Sequence, residues 1–194
     1  MPSPLAPVPT RLVGLYSPSP GCGKTSAARV LQGQGFELVS FAAPLRSMVF
    51  SLLLDLGHNS GEAFALLHER KEELLPQLGV STRHLLRTLG TEWGRSCVHP
   101  SLWLQSFQCR LAGLQQVVVD DVRFANEAQL ITQLGGEIWQ VRRPGHERPA
   151  EHASDGDLDG WDGFAGTLLN DGDLEQLQAQ VLALLPDDAQ PVAA

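Results

Sequence analysis

Basic residues are scarce in this chain. Its 14 Lys and Arg residues face 22 Asp and Glu, giving a formal net charge of −8 at pH 7. A protein that coats nucleic acid needs a basic footprint, so that class is set aside. A small anionic substrate, held by a few local arginines and lysines, remains compatible with this charge. Long apolar runs are missing too. None approaches the roughly 18–20 residues that a membrane-spanning helix requires. Cysteine is limited to Cys22, Cys97 and Cys109, an odd number with no metal-ligand spacing. A reduced, cytoplasmic setting is therefore expected. The six histidines form no His-Glu-x-x-His pattern, and no Ser/His/Asp arrangement stands out. Residues Met1–Thr10 lack a basic segment followed by an apolar one. They read as a flexible tail rather than a signal peptide, and Pro186–Ala194 reads as a second tail.

What remains is one domain's length, 194 residues, with 43% hydrophobic residues, enough for a core. The most informative stretch comes early. Arg11–Tyr16 is an apolar run of strand type. Ser17-Pro-Ser-Pro-Gly-Cys-Gly-Lys-Thr25 is rich in Gly and Pro. An Ala/Leu/Arg-rich helical run follows from Ser26. Strand, loop and helix in that order form a phosphate-cradling loop. Backbone N–H groups and the positive end of the helix wrap phosphates. Lys24 is placed to bridge the β- and γ-phosphates, and the Thr25 hydroxyl to hold Mg²⁺. Gly21 and Gly23 stand where the backbone approaches phosphate. Pro18 takes the place of the first glycine of the usual pattern, which stiffens the loop entry and removes one N–H. Cys22 reads as a small loop-filling residue.

Apolar β-type runs alternate with helical ones. Strands are expected at Arg11–Tyr16, Phe36–Phe41, Gln116–Asp120, Glu137–Val141 and Thr167–Asn170. Helices are expected at Lys24–Gln32, Ala43–Leu56, Gly61–Leu75, Thr82–Leu89, Leu102–Leu114 and Ala125–Leu134. A last helix opens with Asp173-Leu-Glu-Gln176, which resembles a capping box, and continues with Leu174, Leu177, Val181 and Leu184 at helical spacing. The alternation implies an α/β fold of three layers, with about five parallel strands between helices. Two insertions interrupt it. One, about 44–114, is mostly helical. The other, about 142–166, is a loop carrying Glu147, Glu151, Asp155, Asp157, Asp159 and Asp162. Such a loop suits a lid or a binding loop.

Candidate ligand residues gather at the expected strand ends. Asp120 and Asp121 follow Val117-Val-Val119, at the carboxyl edge where α/β sheets bind ligands. Either carboxylate is placed to serve Mg²⁺. Arg123 leaves the same edge and can reach a phosphate. Asn126 is placed to cap the next helix, and Glu127 to pair with Arg123. The helical insertion carries Arg70, Lys71, Arg83, Arg87 and Arg95. These are either phosphate grips or a solvated face paired with Glu69, Glu72, Glu73 and Glu92. Trp93 reads as core. Arg142, Arg143 and Arg148 flank the acidic loop.

With these residues in view, the chain resembles the phage deoxynucleoside monophosphate kinases of the P-loop nucleoside-monophosphate-kinase superfamily, from about Leu12 to Leu185. The likeness rests on Ser40-Phe-Ala-Ala-Pro-Leu-Arg46, on Thr82–Arg95, and on Asp120-Asp-Val-Arg-Phe-Ala-Asn-Glu127. It extends to Leu134-Gly-Gly136, Val141-Arg-Arg-Pro-Gly145, Glu151-His-Ala-Ser-Asp155 and Asn170-Asp-Gly-Asp-Leu174. The resemblance implies a P-loop kinase domain over residues 11–185 that moves the γ-phosphoryl group of ATP to a deoxynucleoside 5′-monophosphate, with Mg²⁺ as cofactor. It implies Lys24, Arg123, Arg142 and Arg143 as catalytic groups. Gly21, Cys22, Gly23, Lys24, Thr25 and Ser26 serve ATP, with Asn170 near the adenine. It implies Arg46, Arg83, Arg95 and Asp121 on the acceptor, and Thr25 with Asp120 on the metal. If the chain is phage-encoded, the compartment is the host cytoplasm. A homodimer is compatible with this reading. Rival readings are a different acceptor (a modified pyrimidine nucleotide, a base in DNA, or dephospho-coenzyme A) and a non-catalytic nucleotide-binding protein.

Overall fold

The computed structural model describes residues 8–146, 158 and 160–185. Both expected tails, apart from residues 8–10, lie outside that range. So do Glu147, Arg148, Glu151, Asp155, Asp157 and Asp159 of the acidic loop.

Residues up to Ser40 and from Phe107 onward form one compact unit, and Phe41–Ser106 form another. The first unit is built on a five-stranded, all-parallel sheet in the order β2-β3-β1-β4-β5. Its strands are β1 (Arg11–Tyr16), β2 (Glu37–Leu38), β3 (Gln116–Val119), β4 (Glu137–Arg142) and β5 (Phe164–Leu169). Helices α1 (Lys24–Gly33), α6 (Ala125–Gln133) and α7 (Leu174–Ala183) pack against it.

Alternation of side chains along each strand sorts the two faces. Val13 and Leu15 of β1, Val118 of β3, Trp139 and Val141 of β4 and Leu168 of β5 form one apolar cluster. Ala27, Ala28 and Leu31 of α1 complete it with Leu177 and Val181 of α7. The opposite face is closed by α6. A Cβ on Gly14 would lie 2.7–3.0 Å from the side chains of Ile138, Ile131 of α6 and Val122, so glycine leaves room for close packing on this face. The result is the expected three-layer α/β arrangement.

Element ends differ from expectation where tertiary contacts decide them. β2 pairs over two residues only. Beyond it Val39 still donates its N–H to the Val118 carbonyl, but Ser40 turns its hydroxyl to Asp120 and the chain leaves the sheet. β5 starts three residues early, where Phe164 stacks on Tyr16. On α7, Leu174 is exposed while Leu177 and Val181 are buried.

The second unit holds α2 (Ala43–Asp55), α3 (Ser60–His68), α4 (Thr82–Thr88), a π-helix (Leu89–Val98) and most of α5 (Leu102–Arg110). Val49, Leu53, Ala63, Leu66, Leu67 and Leu75 form its core. α3 stops at His68 rather than running to Leu75. The charged run after it is exposed, Arg70 pairs with Glu73 at 3.1 Å, and Pro76 disfavours helix at Leu75. Buried Thr82 then ties the loop back, donating its hydroxyl to the Leu66 carbonyl at 2.6 Å.

The π-helix is the unforeseen element. Glycine is a poor helix former, yet the helix runs through Gly90 and Gly94. Added Cβ atoms would lie 2.8 Å from Leu45 at Gly90 and 2.5 Å from the Trp103 ring at Gly94. The Trp103 indole N–H donates to the Gly90 carbonyl at 2.7 Å. These glycines are sites of close approach, not punctuation. Trp93 is 44% exposed, not core, and tilts against buried Trp103.

Candidate active site

Because all five strands are parallel, their carboxyl ends share one edge. Ser17–Gly23, Asp120–Asp121, Arg142–Arg143 and Asn170 all emerge there. β1 lies between β3 and β4, so its loop has Asp120 on one side and Arg142 on the other. That flank of the central strand is where open α/β sheets take ligands.

The loop is shaped by two left-handed glycines, Gly21 (φ 80°) and Gly23 (φ 106°). A side chain at either position would strain the backbone. Ser17 closes the turn around Pro18 by donating its hydroxyl to the Ser19 carbonyl at 2.7 Å. Gly23 is the N-cap of α1 and makes no side-chain cap. The helix thus begins with first-turn amides and a positive dipole end, the elements of an anion site. Cys22 is buried, as a loop-filling residue should be. Thr25 is exposed and Ser26 is half-buried.

Lys24 is half-buried at the head of α1. Its pKa is lowered to about 8, first by desolvation and then by the nearby Arg123 charge, against opposing pulls from Cys22, Asp120 and Asp121. Lys24, Arg123, Asp120 and Asp121 therefore share one electrostatic neighbourhood. A phosphate anion in the loop would favour the charged lysine and oppose that lowering.

Asp120 is held in place. Its Oδ1 accepts the Ser40 hydroxyl at 2.7 Å, and the Ser40 carbonyl in turn accepts Arg110 Nη1 at 2.9 Å. The sequence offered Ser40 only as part of a motif, with no role. The Asp121–Phe124 turn is fixed by buried Glu127, whose Oε2 accepts the backbone N–H groups of Arg123 (2.9 Å) and Phe124 (3.2 Å). Glu127 thus holds the Arg123 backbone, and Phe124 rather than Asn126 is the N-cap of α6. Replacing Glu127 with Ala strips both N–H groups of this acceptor. A loss of about 1–3 kcal/mol in unfolding free energy is expected. Urea denaturation should show a lower midpoint at unchanged slope. An unchanged midpoint would mean that water replaces the carboxylate at no cost.

On the other flank, exposed Arg142 and Arg143 line a shallow depression with Pro18, Ser19, Cys22 and His146. His146 carried no sequence signal. Asn170, expected near an adenine, donates its side-chain amide to the Cys22 carbonyl at 3.0 Å.

Arg46, Arg83 and Arg95 belong to the second unit. Arg46 sits on α2, and its charge, with that of Lys71 and after desolvation, lowers the His68 pKa. Arg83 pairs with Glu72 at 2.9 Å, both side chains well exposed, so the pair contributes little stability. Arg95 is half-buried on the π-helix. No helix among the described residues is long and apolar enough to cross a membrane.

Comparison with known proteins identifies the family. Residues 22–181 match the deoxynucleotide monophosphate kinase family. A protein of Acanthamoeba polyphaga mimivirus, provisionally described as a deoxynucleotide monophosphate kinase, is 29% identical over 92% of this chain and 98% of its own. The deoxynucleoside-5′-monophosphate kinase of Escherichia phage T5 is 39% identical over 70 residues, 35% of this chain and 28% of that protein. Among solved structures, a Thermus thermophilus protein superposes with a TM-score of 0.50 at 16% identity, covering 90% of this chain and 95% of that one; this likeness concerns the fold alone. The chain is a nucleotide kinase, a phosphotransferase, and belongs to the deoxynucleotide monophosphate kinase family.

Proposed function

We propose that the enzyme transfers the γ-phosphoryl group of ATP to a deoxynucleoside 5′-monophosphate, giving the diphosphate and ADP. The observation that carries this reading is the loop itself: two left-handed glycines, an uncapped helix start and a desolvated lysine beside two strand-end carboxylates. Phosphoryl transfer asks for little covalent chemistry from the protein. It asks for alignment and for positive groups aimed at the charge on the transferring phosphate. In this reading the loop amides from Gly21 to Ser26 bind the triphosphate, Lys24 bridges its β- and γ-oxygens, and Arg123 reaches the same phosphates. Arg142 and Arg143 approach from the other flank.

The oxygen donors at this edge fit Mg²⁺. That ion keeps several waters, binds substrate phosphates and needs only one or two protein ligands. Thr25, an exposed residue, and Asp120, with one oxygen fixed by Ser40, would hold it. Bound there, it would offset charge on the β- and γ-phosphates.

The acceptor is assigned to the helical unit, with Arg46, Arg83 and Arg95 on its phosphate and Asp121 at the sheet edge. Changing Arg83 or Arg95 to Ala is expected to raise the KM for the monophosphate about tenfold while moving that for ATP less than twofold, as loss of uniform binding does. Initial-rate kinetics with each substrate varied will show it. Unchanged acceptor KM in both variants would make these arginines structural.

The function itself is tested by coupled ADP release across the four deoxynucleoside monophosphates, dephospho-coenzyme A and no acceptor. Release that depends on a deoxynucleoside monophosphate is the expected result. Release with dephospho-coenzyme A alone, or equal release without acceptor, would overturn the proposal.

A further inference from the structure

We propose that Asn170 is a positioning residue that braces the phosphate loop from outside, acting through the loop rather than by touching the adenine. The inference rests on the reading of that loop as the ATP phosphate site.

Asn170 is the first residue after β5 and is tied twice. Its backbone N–H donates to the Arg142 carbonyl at 2.8 Å, one step beyond the Arg142–Leu169 pairing of β4 and β5. Its side-chain Nδ2 donates to the Cys22 carbonyl at 3.0 Å, across 148 positions of sequence. It also lies against the next residue: a Cβ on Gly23 would sit 2.6 Å from that same Nδ2. Gly23 is favoured by its positive φ, and the Asn170 amide occupies the space a Cβ would take.

The chemistry of the peptide group gives this contact a consequence. In a trans peptide the C=O and N–H point in opposite directions. Holding the Cys22 carbonyl toward Asn170 turns the Gly23 N–H the other way. The Gly23 carbonyl is occupied as well, accepting the Ala27 N–H at 2.9 Å. Both carbonyls at the end of the loop are thus satisfied, and the intervening amide is fixed as a donor for a phosphate.

The brace has a firm mount. Gln180 of α7 grips the preceding residue through both of its amide atoms. Its Oε1 accepts the Leu169 N–H at 2.8 Å, and its Nε2 donates to the Leu169 carbonyl at 2.8 Å. Asp173 caps the same helix by accepting the Gln176 N–H at 2.9 Å. Helix α7, the end of β5, Asn170 and the loop form one hydrogen-bonded series.

Asn170→Asp keeps the shape, removes the donor and sets a carboxylate beside the Cys22 carbonyl. In the full-length protein with Mg²⁺, it is expected to weaken both ATP and inorganic tripolyphosphate about tenfold or more, the worth of one hydrogen bond and the added repulsion. The ratio of ATP to GTP affinity and the KM for the monophosphate should stay within twofold. Gln180→Ala, which removes both bonds to Leu169 and loosens the mount, should weaken tripolyphosphate in the same sense and to a smaller extent. An adenine contact predicts the reverse pattern: an altered ATP-to-GTP ratio with tripolyphosphate unaffected, and that result would overturn the brace. Should wild-type protein bind neither ATP nor tripolyphosphate, the reading of the loop falls with it. Should wild type bind both and the two variants match it, only the brace falls.

Discussion

Lys24→Ala is expected to lower kcat by about 10²–10³-fold, the usual cost of removing one preorganised group from the site of developing charge. The structure also says what should happen to the fold. Lys24 is half-buried at the head of α1. Its pKa is lowered from 10.5 to about 8, chiefly by desolvation, so the folded state disfavours its charged form. The sign follows from linkage. Between pH 8 and 10.5 the unfolded chain binds more protons at this site than the folded one, and stability rises with pH there. Below pH 8 the penalty is present in full. Alanine removes it, so the variant at pH 7 should melt at the wild-type temperature or above it. Low activity with an unchanged or raised melting temperature is the expected pair of results. A folded variant with near-normal turnover would remove Lys24, and the loop with it, from the mechanism.

The separation of function from stability at Lys24 bears on what the sequence could reveal. Residues whose role is local in chain order were legible. The strand–loop–helix around Gly21, Gly23 and Lys24 depends on neighbours within a few positions, and β1, β3, β4 and α1 appear within a residue or two of expectation. The Asp173 cap was legible for the same reason. Partnerships across long stretches of chain were not. Nothing in local pattern joins Asn170 to Cys22, or Ser40 to Asp120, which lie 148 and 80 positions apart. The π-helix was hidden for a related cause. Gly90 and Gly94 break an isolated helix, and only the Leu45 and Trp103 side chains pressed against them show why glycine is needed. Trp93 misled because a large apolar residue is usually buried, whereas here Trp103 occupies the interior position and Trp93 packs over it from outside. β2 fell short because its end is set by the hydroxyl of Ser40, not by β-propensity.

Asp120→Asn gives the second large effect, and it decides between two adjacent acids that sequence leaves equivalent. Both carboxylates favour the charged form of Lys24, so both lie near it. The Asp120 Oδ1 is held by the Ser40 hydroxyl, and Ser40 is held by Arg110. A carboxylate locked at one oxygen presents the other in a fixed direction, as holding Mg²⁺ directly or through water requires. Asparagine retains an oxygen for the Ser40 hydroxyl and nearly the same volume, so the fold should survive while the charge is lost. The Mg²⁺ concentration for half-maximal rate should rise about 10–100-fold, the range seen when a metal's supporting ligands are removed. Turnover at saturating Mg²⁺ should recover only in part, because the lost charge also helped keep Lys24 protonated. Asp121→Asn, assigned to the acceptor, should leave the Mg²⁺ dependence in place and raise the KM for the monophosphate. Mg²⁺ titrations of both variants at saturating ATP separate the two. If Asp121→Asn shifts the metal dependence and Asp120→Asn does not, the roles are exchanged. Ser40 would then orient Asp120 for the fold of the sheet edge rather than for the metal.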